Sequence, residues 1–259
     1  MQARIVQASN GARWLLEGWN LFRAAPLGWI AMVFAYWMLM TLVSVLPLIG
    51  VAAASILVPA FSVGFMAAAR AASRRAPVEL ALLFDGLRNH WRSQLLLGAV
   101  YLVGLGVVLA GSAAADDGAL ATWMLTGRRP ADEVLHGEEF LLGLAFAAAL
   151  YTPVLMAFWF APPLAAWQGA PAVKALFFSF FACLMNWRAF LVYGALTALL
   201  ALALPLVVLW AVMLASLNVA AVSLIFPLLI VLLPTLFASF YASYRDVFVN
   251  HEPGPRNPV

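Results

Sequence analysis

The sequence predicts an all-α membrane bundle: six transmembrane helices, with about three short amphipathic or interfacial helices on the cytoplasmic side. Three observations predict it. Of 259 residues, 66% are hydrophobic and 10% charged, and the mean hydropathy is +0.98. Water-soluble domains carry roughly 25% charged residues, and one aqueous core could not hide this much apolar surface, so most of the chain is solvated by lipid. Six apolar runs without a charge follow one another, and the basic residues between them fall almost entirely on one side.

The runs are 29–48, 51–69, 94–112, 140–161, 190–214 and 219–241. Each approaches or exceeds the roughly 20 residues that a helix needs to cross the hydrocarbon. They are continuously apolar, whereas barrel strands alternate over about ten residues, so helices are expected. Residues 1–250 then form one integral membrane domain, and 251–259, with Pro253, Gly254, Pro255 and Pro258, a disordered tail. Three arginines in the first 28 residues make a poor signal-peptide start, so no cleaved leader is expected.

Orientation follows from the basic residues. Arg4, Arg13 and Arg23 precede the first run, and Arg70, Arg74, Arg75, Arg88 and Arg92 separate the second from the third. Lys174 and Arg188 precede the fifth, and Arg245 and Arg256 follow the sixth. The opposite side holds only Arg128 and Arg129, so the division is 12 against two. Basic loops stay in the cytoplasm, which places both termini there and makes 116–139 the main outer loop.

A short unit recurs at the inner surface. Pro77 and Pro171 each suit the first turn of a short helix. Each helix leads to Trp-Arg, at Trp91-Arg92 and Trp187-Arg188, and then to an apolar run with Gly98 or Gly194 at the same offset. The indole suits the headgroup layer, and arginine can lay its stem along lipid while its guanidinium reaches phosphate. A third copy starts at Ser9-Asn10, which would cap a helix running through Arg23. Its Arg13, Glu17 and Asn20 share one face, opposite Trp14, Leu15, Trp19 and Phe22, and Trp29 enters the lipid. In the second copy Asp85, Arg88, Asn89 and Arg92 oppose Leu80, Leu83, Leu87 and Trp91. The short helix before the fifth run, within 171–187, has almost no polar face, so it sinks deeper or packs inside. Trp14, Trp29, Trp91, Arg92, Trp187 and Arg188 are the expected interfacial anchors, within three diverged repeats of one surface helix and two spans.

Candidate chemistry is sparse. Gly64-x-x-x-Ala68 and Gly194-x-x-x-Ala198 would let helices approach closely, within the chain or in a dimer. Pro47, Pro59, Pro153, Pro205, Pro227 and Pro234 lie in or beside the runs. A proline inside a helix frees the carbonyl four residues earlier, which can line a cavity, although membrane helices also tolerate it. The acidic pairs Asp116-Asp117, Asp132-Glu133 and Glu138-Glu139 have no ion-loop spacing, and Arg128-Arg129 compensates them. His90, His136 and His251 are isolated, and Cys183 is the one cysteine. No catalytic residue, cofactor site or metal site is expected.

Trp159-Phe160-Ala161-Pro162-Pro163-Leu164, then Ala175, Ser179, Ala182-Cys183-Leu184 and Asn186-Trp187, carry a resemblance, as do Gly11-Ala12-Arg13-Trp14, Gly18 and Leu21-Phe22-Arg23. They resemble a betaproteobacterial family of six-span inner-membrane proteins of unknown function. The resemblance implies topology and location and transfers no catalytic residue.

The reading is therefore a non-enzymatic membrane-embedded module for interaction or lipid handling. Its expected partners are membrane lipids and a second copy or another membrane protein, and nucleic acid is not among them. The alternative is a transporter or channel for a neutral or lipidic substrate. No acidic or basic residue lies inside a run, which weighs against ion coupling.

Overall fold

Runs of Leu, Ala, Val and Phe have no water to satisfy their backbone in lipid, so they bond internally as helices. The computed structural model describes residues 2–46, 49–214 and 225–248, and every regular element among them is helical. In order these are α1 Asn10–Ala24, α2 Pro26–Ser44, α3 Gly50–Ser73, a 3₁₀ turn Leu80–Phe84, α4 Asp85–Arg88 and α5 Trp91–Asp116. There follow α6 Ala119–Thr126, α7 Asp132–Leu135, α8 Glu138–Trp159, α9 Ala161–Gln168, α10 Ala172–Met185, α11 Trp187–Leu214 and α12 Ile225–Phe248.

Four stretches are long and apolar enough to cross a bilayer: Pro26–Ser44, Gly50–Ser73, Trp91–Asp116 and Glu138–Gln168. A fifth is reached if α10 and α11, broken at Asn186, are counted as one span. The expected run 219–241 begins outside the described residues, as do Pro47, Asn218 and the tail 251–259. Helix ends also differ from the expected ones. α3, α5 and the α8–α9 pair run past the apolar windows into polar residues, because helical bonding continues where hydropathy has already fallen.

The chain divides into two units. The first comprises Met1–Leu42, Phe61–Asn89 and Ala182–Val259. Here α1 packs along α12 and against α11. Close approach depends on Gly11 and Gly18, where a Cβ would strike the carbonyls of Ala189 and Thr235. Trp14 sits beside Phe190 and Tyr193, with ring centroids 5.2 and 6.1 Å away. The Tyr193 hydroxyl meets Ser239 Oγ at 2.7 Å, tying α11 to α12. Phe65 of α3 stacks on Phe237 of α12 at 4.1 Å.

The second unit comprises Val43–Ala60 and His90–Phe181, with α5 lying along α8. Between α8 and α9, Ser179 of α10 does what the helix cannot. Its Oγ accepts from Phe160 N–H at 2.9 Å and donates to the Met156 carbonyl at 2.8 Å. Those two backbone groups are four residues apart, so a hydroxyl stands in the helical ladder where one direct bond belongs, a recognised cause of a helix break. Pro162 and Pro163 then open α9. Gln94, fully buried, donates to the Pro162 carbonyl at 2.8 Å.

Two short surface helices differ from expectation. The segment before α5 is a 3₁₀ turn and a single α-turn, and His90 sits in the left-handed region at φ 55°. Leu83 is buried there but Leu80 is exposed, so no continuous amphipathic stripe forms. α10 turns its small residues Ala172, Ala175, Ser179, Ala182 and Cys183 inward and leaves Val173, Phe177, Phe181 and Leu184 exposed.

Candidate functional site

The densest polar constellation among the described residues belongs to the first unit, where the start of the chain meets the end of α12. Asp246 lies in the last turn of that helix. The helix dipole disfavours a carboxylate there, so it needs donors from elsewhere. It has them. Asn10 Nδ2 donates to Asp246 Oδ2 at 2.6 Å, Trp14 Nε1 donates to the same oxygen at 2.9 Å, and the Arg4 guanidinium pairs with Oδ1 and also reaches the Asp246 carbonyl. Burial pushes the Asp246 carboxyl up, but the bonds from Asn10, Trp14 and Arg4 and the charge of Arg4 outweigh it, and the net position is below the ordinary value.

The extended stretch around Arg4 is pinned on its other side as well. Arg4 N–H donates to the Val247 carbonyl at 3.0 Å. Buried Asn186 donates to the Arg4 carbonyl at 3.0 Å and accepts from Val6 N–H at 2.8 Å. Arg245 pairs with Glu17. The resulting cleft holds about 370 Å³ and is lined by Arg4, Asn10, Arg13, Trp14, Glu17, Arg245 and Asp246. The Arg13 side chain is exposed and makes no hydrogen bond or ion pair among the described residues.

A second hollow shares α1. It holds about 350 Å³ and is lined by Leu15, Leu16, Trp19, Leu200, Val231, Leu232, Thr235 and Leu236. Its hydroxyl is occupied, since Thr235 Oγ1 donates to the Val231 carbonyl at 2.8 Å. The surface is therefore apolar.

The expected anchors separate into two kinds. Trp91 and Trp187 are 51% and 52% exposed. Each carries the guanidinium of the next residue over its ring, Arg92 at 5.4 Å and Arg188 at 5.5 Å. Trp14 and Trp29 differ: they are 1% and 0% exposed. Their N–H groups bond to Asp246 and to the Leu21 carbonyl, so packing rather than headgroup contact is the role seen here. α1, expected to float in the interface, packs on α11 and α12 with Trp14, Leu15, Leu21 and Phe22 buried, while Leu16 and Trp19 stay exposed. Ser9 makes no capping bond, and the Asn10 side chain is engaged by Asp246.

Of the two small-residue pairs, Gly64–Ala68 is packed, with Gly64 against the Leu83 backbone. Among the described residues Gly194 has nothing within contact of a would-be Cβ, and Ala198 is exposed. In the acidic loop, Asp116 is buried and accepts from Gly118 and Leu120 N–H at 3.0 and 2.9 Å, and Arg129 pairs with Asp132. Asp246 escaped sequence reasoning, although a lone acid beside Arg245 at a helix C-terminus was the available signal.

The chain is similar to a "probable inner membrane protein" of Burkholderia thailandensis. The two are 40% identical over 267 residues, spanning all of this chain and 98% of that one. The chain belongs to that family. With the candidate spans above, it is a multi-pass helical protein of the inner membrane. No family model matches the sequence, and no solved structure matches it.

Proposed function

We propose that this inner-membrane protein is a non-enzymatic module that handles lipid or docks a membrane partner, with six spans and both termini in the cytoplasm. The observation that carries it is α1. The clasp around Asp246 and Asn186 fixes this helix against α11 and α12. It then presents a charged cleft and an apolar groove from successive positions of one element, an amphiphilic surface. The ionisable side chains of that cleft, apart from Arg13, are occupied in holding the termini, which supports a binding role over acid–base or nucleophilic chemistry.

Orientation rests on the 12-to-two division of basic residues. In a Cys183→Ala background, a cysteine at Ala119 is expected to react with an impermeant reagent in intact cells, and cysteines at Ser73 and Ala170 are not. Labelling at Ser73 from outside would reverse the topology. For the module itself, mild detergent extraction should retain specific lipids or a protein partner, enriched over the bulk membrane. Retained lipid that merely mirrors the bulk, with no partner, rejects it.

The alternative, a path for a neutral or lipidic solute, is favoured by the interruption at Phe160, because broken helices line many transport sites. Saturable solute flux in proteoliposomes would move the balance to it.

A further inference from the structure

We infer that the cleft and the groove on α1 form one site for a single anionic glycerophospholipid, with its phosphate on Arg13 and an acyl chain over Leu16 and Trp19 toward α12. The proposal rests on the lipid-handling reading and names its ligand.

Charge is the first argument. In the cleft Arg4 is matched by Asp246, and Arg245 by Glu17. Arg13 is left over, exposed and without a partner among the described residues. One uncompensated guanidinium suits one phosphodiester, to which it can donate two parallel bonds.

Continuity is the second. Arg13, Trp14 and Glu17 line the cleft while Leu15, Leu16 and Trp19 line the groove, so the polar and apolar surfaces meet within a turn of one helix. Leu16 and Trp19 are exposed large apolar side chains. A free phosphate would leave them uncovered, and an acyl chain would not. Length agrees: nine residues of α12 separate Leu236 from Arg245, about 13 Å along the axis. Half the hydrocarbon core is about 15 Å. Trp19 lines the groove beside Leu16, and Arg23 lies 5.5 Å over its ring.

Native mass spectrometry of the delipidated full chain tests this with three probes: phosphatidylglycerol, phosphatidylcholine with the same acyl chains, and glycerol 3-phosphate. One phosphatidylglycerol should bind first, roughly fivefold tighter than phosphatidylcholine, as one arginine near an anionic headgroup predicts. Glycerol 3-phosphate should neither bind nor compete. Arg13→Gln should bring phosphatidylglycerol down to the phosphatidylcholine level, Arg13→Lys should restore most of the difference, and Arg74→Gln should change nothing. Leu16→Asn should weaken both lipids.

The Arg13 side chain has no partner among the described residues, so its variants test binding rather than folding. An Arg13→Gln protein that keeps its preference overturns this site while leaving lipid handling intact. Wild type that retains no lipid overturns both. Competition by glycerol 3-phosphate would make it a soluble-anion site instead. A dimer that excludes lipid and depends on Leu16 would assign the groove to a second copy.

Discussion

Trp91-Arg92 and Trp187-Arg188 begin α5 and α11 with the same dipeptide, the same stack of guanidinium on indole and the same half-exposure. Behind the dipeptide they part. Gly98 of α5 meets the backbone of Ile56, so closely that no Cβ fits. Gly194, at the equivalent offset in α11, faces open space. Ahead of the dipeptide they part again. Among the described residues the Asn89 side chain bonds to Asp85, four residues back, whereas Asn186 reaches across 182 residues to hold the start of the chain. A shared motif thus reports a shared exposure. It does not report what lies on the protein side, where each copy has acquired its own neighbours.

The largest effect should come from the glycines. Gly98→Ala is expected to cost about 3 kcal/mol, because its new Cβ meets backbone that cannot rotate away. Gly194→Ala should leave the melting temperature unchanged or slightly higher, since alanine is the better helix former. Thermal unfolding in detergent reads both, and equal losses would restore the symmetry that the sequence suggests.

Next come the asparagines. Asn186→Ala strands the Val6 N–H and the Arg4 carbonyl, at a cost of about 2 kcal/mol. It should also speed proteolysis near residues 4–9. Asn89→Ala breaks local bonds alone and should cost under about 1 kcal/mol. Comparable proteolysis of the two variants would mean that Asn186 does not hold the N-terminal stretch.

Smallest is the difference between the two tryptophans. Trp91→Ala and Trp187→Ala should each lose about 0.5–1 kcal/mol, the worth of an exposed cation–π pair. The two should be indistinguishable, and both should fall well short of Trp14→Ala, which empties a buried site and removes a donor from Asp246. Unequal losses at Trp91 and Trp187 would show that the anchors, too, have diverged.

Much of this fold is legible in the sequence because lipid imposes a strict rule. A run such as 94–112, long and uncharged, has to be a helix, and it lies within α5. The amphipathic turn at Arg13, Glu17 and Leu15 is equally plain. The segment 80–90 misleads, because its apolar spacing fits an α-helix while the chain there takes a 3₁₀ turn and a left-handed His90. Trp14 and Trp29 mislead for another reason. An indole is welcome both at a headgroup and in a core, and only the donor's partner decides between them. The clasp was out of reach, since no local pattern ties Asp246 to Asn10 or Arg4. Neither does any pattern place the Ser179 hydroxyl between Phe160 and Met156.

That clasp also orders events during synthesis. Asn10 and Trp14 wait for a carboxylate that lies 236 and 232 residues further along the chain. At about 5–20 residues per second, the wait is roughly 10–50 s. Throughout it α1 has a complete apolar face and no α12 to cover it, so the membrane surface or a chaperone must hold it meanwhile. Docking of α1 is consequently among the last steps of assembly. A chain that stops short of Asp246 leaves the Trp14 N–H without its acceptor, even with Phe190 and Tyr193 already beside the ring.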